Sequence, residues 1–237
     1  MDLFTTGYGF EFLFRWVHFM AGIVWIGMLY YFNLVQTPFF ASELGGSAKS
    51  AMTRGLVPTA MWWFRWGAMF TFGTGLLLIL MYLGMDGLSL GDGLITRILT
   101  GGALGTLMWF NVWFLIWPAQ RDFVIKNAMQ VAGGGQAIPE AAAKGALAGR
   151  MSRTNTLFSI PMLFFMGSAR HLETIHNGSN DVIYWVLALA VILAVQLNAY
   201  VGVSPGRQKY LTTVSGTIHM GLGLTLVLYL LGVVVNS

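Results

Sequence analysis

Long apolar stretches alternate with short polar ones along the whole chain. Each apolar stretch is close to the roughly 20 residues that an α-helix needs to cross a bilayer. The stretches cover residues 9–36, 59–84, 93–117, 152–170, 181–202 and 209–235. This pattern predicts an all-α, polytopic membrane bundle of about six transmembrane helices, which form one integral membrane domain over residues 1–237.

The fourth stretch is the most polar of the set. It contains Pro161 and the run SRTNT at 152–156. We expect its helix to begin earlier, in the alanine-rich run at 139–151, and to project beyond the bilayer. The segment 118–150 contains a glycine-rich turn between two helical patches and is predicted to form a hairpin on one side of the membrane.

Composition places the chain among integral membrane proteins. Hydrophobic residues make up 56% and charged residues only 9% of the 237 residues, whereas soluble domains contain about 25% charged residues. The chain has no cysteine, which excludes disulfides, iron–sulfur clusters and covalently attached c-type haem. The net charge of +4 is small and spread over loops, so no nucleic-acid partner is expected.

Loop charges predict the orientation of the helices. Cations are concentrated in alternate loops, at Lys49, Arg54, Arg121, Lys126, Lys144, Arg150, Arg153, Arg207 and Lys209. The other loops carry Asp2, Asp86, Asp92, Glu173 and Asp181. By the positive-inside rule the cation-rich loops face the cytoplasm, so both termini are predicted to lie on the other side of the membrane.

Ionisable residues within the first stretch suggest a buried function. Glu11, Arg15, His18 and Trp25 fall near one helical stripe, and such residues are costly inside a bilayer. His18 and His219, in the first and last stretches, are at compatible predicted depths. We expect them to ligate haem b between these helices, with Arg15 offsetting propionate or substrate charge. Trp25 is a candidate contact for the porphyrin or a substrate ring, although ordinary core packing suits it better.

The histidines also fit roles that do not involve haem. His18 and His219 could instead form hydrogen bonds between packed helices, bind another metal or relay protons. His171 and His176 follow the fourth stretch in RHLETIH. Their i, i+5 spacing does not place them on one helical face, so His171 is a weak candidate for a metal ligand or a proton-transfer group, and an interfacial role without chemistry fits it equally well.

A second group of polar residues lies at or near bilayer depth. Arg153, Thr154 and Asn155 open the fourth stretch and are candidate catalytic residues, together with Arg15 and His171. Further amides occur at Asn33, Gln36, Asn111, Gln120 and Asn198. Guanidinium and amide groups of this kind suit a planar, anionic ligand that forms hydrogen bonds.

Several sequence motifs carry a family resemblance. The runs WVHFMAGIVWIGMLYYFNLVQTPFF, MWWFRWGAMFTFGTGLLLIL, MWFNVWFLIWPAQR and especially RMSRTNTLFSIPMLFFMGSARH resemble the urate oxidase N-terminal family, the membrane domain of bacterial cytochrome-c-linked urate hydroxylases. This resemblance implies oxidation of urate to 5-hydroxyisourate and electron transfer to a cytochrome c. It also implies a location in a bacterial inner membrane, with both termini periplasmic. The fused cytochrome domain is not found before Ser237, so we expect a separate cytochrome c or another redox partner.

The resemblance leaves other functions to be distinguished. The first-helix pattern H-x-x-x-G-x-x-W is also similar to membrane haem-b protoporphyrinogen oxidases and copper-resistance membrane proteins. An alternative is therefore a haem-b electron-transfer or accessory subunit of a larger respiratory or photosynthetic complex, without urate chemistry. A structural spanning subunit is a third class. The glycine-rich faces could join helices within one chain or between chains of a homo-oligomer. A transporter is a further alternative, but no inverted repeat or broken-helix pair favours it.

Overall fold

The computed structural model describes residues 2–172, 181–202, 206 and 208–236. Within these residues the chain is all-helical, which confirms the predicted helical bundle. The main helices are α1 (Gly7–Phe40), α2 (Glu43–Gly55), α3 (Val57–Gly84), α4 (Gly93–Ala132), α5 (Ala141–Ser168), α6 (Asp181–Val201) and α7 (Val214–Asn236). Glu173, His176 and Arg207, which entered the sequence predictions, lie outside the described residues.

Five of the described helices are long and apolar enough to cross a membrane. They are α1, α3, α4, α6 and α7. The helix of the fourth apolar stretch, α5, begins at Ala141 and continues through Pro161 to Ser168, which confirms the predicted start in the alanine-rich run. Its lower hydropathy follows from polar residues such as Thr154, Asn155 and Ser159, which are fully buried.

Helix α5 is the centre of the bundle. It packs against α4, α7, α6 and α1, and α1 packs mainly along α3. Leu157 and Phe158 of α5 join Trp25, Phe64 and Met108 in one buried apolar cluster. Polar positions of α5 therefore meet other helices and not lipid, which satisfies their hydrogen bonds inside the protein.

Helices α1 and α4 change their hydrogen-bonding pattern partway along. Tyr31–Gln36 in α1 is π-helical, and so are Asn111–Ile116 and Gln120–Ile125 in α4. Short π-helical stretches insert an extra residue into a turn and are frequent at functional sites. Tyr31–Gln36 and Gln120–Ile125 lie in the C-terminal halves of their helices, whereas Asn111–Ile116 lies near the middle of α4.

Candidate functional site

A cavity of about 720 Å³ lies at one end of the bundle, between the C-terminal parts of α1 and α4, the short helix α2 and the beginnings of α3 and α5. We call this end the cation-rich end, because it holds most of the loop cations. Its polar lining includes three cations and three amides: Lys49, Arg150, Arg153, Asn33, Gln36 and Gln120. Polar groups from four helices therefore surround one space.

The cations of the cavity have no acidic partners in its wall. No carboxylate among the described residues lines the cavity. Arg153 donates from Nη1 to the carbonyl oxygen of Leu211 over 2.6 Å, and Arg150 donates from Nε to the carbonyl oxygen of Ala199 over 3.2 Å. A neutral carbonyl orients a guanidinium without cancelling its charge, so the cavity attracts anions.

Two π-helical stretches supply the amides. Asn33 and Gln36 come from the π-helical part of α1, and Gln120 begins the second one in α4. Asn33 donates from Nδ2 to the carbonyl oxygen of Leu29 and to the hydroxyl oxygen of Ser152, over 2.9 and 2.8 Å. The buried Oε1 of Gln36 has no hydrogen-bond partner in the protein, so this amide retains hydrogen-bonding capacity.

One wall of the cavity is built from small residues. Ala148, Gly149 and Gly145 of α5 line it, and Phe32 and Phe64 belong to the opposing helices. A Cβ atom added at Gly149 would meet no other atom within 4 Å, so the space beside this residue is open. A wall of small residues facing aromatic rings can accept a flat ring system.

The three neighbouring candidates Arg153, Thr154 and Asn155 do not all reach the cavity. Arg153 and the neighbouring Ser152 line the cavity, whereas Thr154 and Asn155 do not. Thr154 donates to the carbonyl oxygen of Arg150 within α5, and both Thr154 and Asn155 are fully buried. Thr154 bonds within α5 and Asn155 bonds to α4, and a catalytic role for either residue stays a prediction.

Asn155 belongs to a buried amide network between helices. Asn111 donates to Asn155 Oδ1 over 2.8 Å and exchanges hydrogen bonds with Gln196. Asn155 donates to the carbonyl oxygen of Met108 over 2.9 Å. The network joins α4, α5 and α6 at the point where α4 becomes π-helical, and so fixes the helices that carry Gln120 and Arg153.

Arg15 lies at the opposite end of the bundle from the cavity. It is paired with Glu11, one turn earlier, and donates to the hydroxyl oxygen of Tyr82 over 2.9 Å. Arg170, just after α5, also donates to Tyr82, over 3.5 Å. His171 is exposed near this end. Neither Arg15 nor His171 lines the cavity with Arg153, so the predicted catalytic candidates do not form one cluster.

The structure does not bring the two predicted haem ligands together. His18 is at hydrogen-bond distance from Thr74 of α3, with 3.1 Å between Nδ1 and Oγ1. His219 is exposed and bonds within α7 to the carbonyl oxygen of Ser215, over 2.7 Å. At 1.5 Å per residue, His18 lies about 16 Å along α1 from the end of the bundle that holds Arg15. His219 lies about 8 Å along α7 from the other end, which is the cation-rich end.

A haem shared by His18 and His219 therefore does not fit this arrangement. The predicted depths of the two histidines do not show which helices pack together. The main neighbours of α7 are α5 and α6, while α1 packs along α3. No group of three or more histidine, aspartate or glutamate side chains suited to a metal occurs in the described part of the chain. Trp25, the predicted porphyrin contact, is 1% exposed and belongs to the apolar core.

His18 by itself retains a nitrogen suited to a metal. Thr74 gives its single hydroxyl proton to the carbonyl oxygen of Phe70, over 2.6 Å. If Nδ1 of His18 supplies the proton between the two groups, Nε2 keeps the lone pair that a metal ligand needs. Binding of haem b remains a prediction that concerns His18 with a ligand other than His219.

Comparison with known protein families identifies the chain. The family model for the urate oxidase N-terminal region matches residues 93–229, which is more than half of the chain. The chain belongs to the urate oxidase N-terminal family. No curated protein and no solved structure matches it significantly. The resemblance to this family is thereby confirmed over residues 93–229, and the link to a cytochrome c stays a prediction.

The match to the urate oxidase N-terminal family includes part of the cavity. Gln120, Arg150 and Arg153 lie within the matched residues, whereas Asn33, Gln36 and Lys49 precede them. Sequence reasoning named Asn33, Gln36, Gln120 and Arg153 as polar groups but treated Lys49 and Arg150 only as loop charges. The spacing of Arg150 three residues before Arg153 is the missed signal, because it places both on one face of a helix.

Proposed function

We propose that this member of the urate oxidase N-terminal family is a membrane-bound oxidoreductase that binds urate in the cation-rich cavity. The observation that carries the proposal is the pair Arg150 and Arg153, which line a cavity without carboxylates among the residues described. The guanidinium groups of both residues donate to neutral carbonyl oxygens and to no carboxylate of the described residues. Urate is a planar anion with carbonyl oxygens and ring N–H groups. The cations attract its charge, and the amides match its hydrogen-bonding edges.

The proposed reaction is the two-electron oxidation of urate to 5-hydroxyisourate. Water supplies the oxygen that becomes the hydroxyl group at C5 of the ring. One pair of electrons and two protons leave the substrate in total. The electrons would reduce two molecules of a cytochrome c, each of which takes one electron. The residues of the cavity contribute binding and orientation, and the positive lining stabilises the negative charge of the bound ring.

The loop charges give this proposal a direction across the membrane. If the cation-rich end faces the cytoplasm of a bacterial cell, urate enters the cavity from the cytoplasm. A cytochrome c in the periplasm would then receive the electrons at the opposite end, where Arg15, Tyr82 and Arg170 are joined by hydrogen bonds. If haem b is present, it would supply a one-electron redox centre between the urate cavity and the cytochrome c.

Urate turnover by purified protein tests the proposed function. The protein in lipid nanodiscs is mixed with urate and oxidised soluble cytochrome c, and urate loss and cytochrome reduction are followed by absorbance. We expect both in the wild type and at least a tenfold lower kcat/KM for Arg153→Gln, as loss of one charged contact predicts. Arg54→Gln is the matched control, because Arg54 is an exposed residue of α2 outside the cavity lining.

The outcomes separate the alternatives. Equal kcat/KM values for Arg153→Gln and Arg54→Gln would place urate elsewhere in the protein. A wild type that binds urate without oxidising it with cytochrome c would contradict the oxidoreductase proposal. A wild type that neither binds nor oxidises urate would contradict both parts of the proposal.

A further inference from the structure

An arginine without an acidic partner lies on the outer surface of α3 and α4. The guanidinium of Arg65 has no hydrogen-bond acceptor and no carboxylate partner among the described residues, and its Nε atom is buried without a partner. Arg121, whose guanidinium also lies near the Trp117 ring, is paired with Asp122 through two hydrogen bonds of 2.7 Å. One positive charge at this surface is therefore not balanced by the described part of the protein.

Tryptophan rings hold Arg65 in place. Its guanidinium carbon lies 4.1 Å from the centre of the Trp117 ring and 5.7 Å from that of Trp113. Trp113 donates from its indole nitrogen to the carbonyl oxygen of Arg65 over 3.2 Å. Stacking of this kind fixes a guanidinium plane while its N–H groups remain available at the edge.

The surroundings of Arg65 are typical of a membrane–water interface. Trp62 and Trp63, one helical turn or less from Arg65, are 46% and 54% exposed. Clusters of exposed tryptophan side chains occur at the level of lipid headgroups. Arg65 lies about 12 Å along α3 from its beginning at the cation-rich end. We expect its guanidinium at this depth to be near the boundary between headgroups and acyl chains.

An apolar strip continues from this cluster toward the middle of the membrane. Trp66 contacts both Trp113 and Phe70, with ring centres 5.5 and 6.0 Å apart. Phe114 and Phe110 continue the strip on α4, with ring centres 5.0 Å apart, and are 56% and 43% exposed. A charged group at the interface with an apolar strip below it matches the shape of a phospholipid.

We propose that the surface formed by Arg65, Trp62, Trp66, Trp113 and Trp117 is a binding site for one anionic phospholipid, whose phosphate pairs with Arg65. The acyl chains lie along Phe70, Phe110 and Phe114. A zwitterionic lipid carries its own ammonium group, which competes for the phosphate and leaves the charge of Arg65 unbalanced. The site therefore prefers phosphatidylglycerol to phosphatidylethanolamine. It lies on the lipid-facing side of α3 and α4, apart from the cavity lined by Phe64 and Gln120.

Lipid retention tests this site directly. Protein purified from vesicles with equal amounts of phosphatidylglycerol and phosphatidylethanolamine is analysed by native mass spectrometry for bound lipid. The wild type is expected to retain phosphatidylglycerol preferentially. Arg65→Gln should weaken this retention by about tenfold, the effect of one charge-assisted contact, and Arg65→Lys should weaken it less. Arg54→Gln, which removes an exposed arginine of α2, should leave it unchanged.

Several outcomes would overturn the lipid site. They are equal retention of phosphatidylglycerol by Arg65→Gln and the wild type, an equal loss in Arg54→Gln, and the absence of any preference in the wild type. The measurement on the wild type tests the proposal even if the variants fail to fold. Displacement of the lipid by millimolar inorganic phosphate would also contradict the proposal, because it would show that the acyl chains contribute nothing to binding.

Discussion

Asn111 and Gln196 form a reciprocal amide pair in the centre of the bundle. Asn111 donates to Gln196 Oε1 over 3.0 Å, and Gln196 donates to Asn111 Oδ1 over 2.7 Å. The pair joins α4 to α6, and Asn155 of α5 completes it. Hydrogen bonds between side-chain amides thus fix the positions of three helices relative to one another. Because these amides are buried, an amide left without a partner destabilises the fold.

Replacement of Asn111 tests how much this amide network contributes to the stability of the protein. Asn111→Ala leaves the amide groups of Asn155 and Gln196 without partners, so we expect a loss of about 2 kcal/mol in the free energy of unfolding. Thermal unfolding in one detergent measures the effect. Thr106→Ala is the matched control, since Thr106 is an exposed residue of α4 whose hydroxyl bonds within its own helix. Equal melting temperatures for the two variants would refute a structural role for the network.

Gly149 offers a steric test of the cavity. Gly149→Leu places a branched side chain into open space beside Arg150 and Arg153, and we expect urate binding to fall at least tenfold while the protein still folds. Gly149→Ala should retain binding and gain up to about 1 kcal/mol of stability from its helix propensity. Calorimetric titration with urate measures both variants. Unchanged affinity in Gly149→Leu would exclude this cavity as the urate site.

Two glycines of α7 have different surroundings, so we expect the same substitution to have opposite effects at the two positions. A Cβ atom at Gly221 would lie 2.5 Å from Ile160 Cδ1 and 2.9 Å from the carbonyl oxygen of Leu157, whereas one at Gly223 meets nothing within 4 Å. Gly221→Ala should therefore separate α7 from α5 and cost about 1–3 kcal/mol. Gly223→Ala should be neutral or stabilising. A thermal unfolding series that shows equal effects would contradict the close approach of α5 and α7.

The absorption spectrum tests haem binding and its ligands together. If haem b is bound, we expect His18→Ala to remove the Soret band, because His18 with its proton on Nδ1 would offer the lone pair of Nε2 to the iron. His219→Ala should leave the band unchanged, because this exposed side chain bonds within its own helix. Loss of the band in both variants would support the shared ligation that the structure disfavours, and a colourless wild type would exclude haem b.

The sequence determined the elements and the family. Apolar stretches of membrane-spanning length, low charge and the absence of cysteine were enough to predict an all-α membrane bundle, and the SRTNT-containing motif was enough to indicate the urate oxidase N-terminal family. The start of α5 in the alanine-rich run could also be predicted, because helix propensity is local. Urate oxidation, the cytochrome partner and the orientation of the termini remain predictions.

Only the tertiary structure decided which side chains meet. It separated His18 from His219 and Arg15 from Arg153, and it joined Arg153 to Lys49 and Arg150 around one cavity. Hydropathy and spacing give the depth and the face of a residue on its own helix. The partners of that face depend on how the helices pack around α5, and this packing is set by close contacts and buried amides far apart in the sequence.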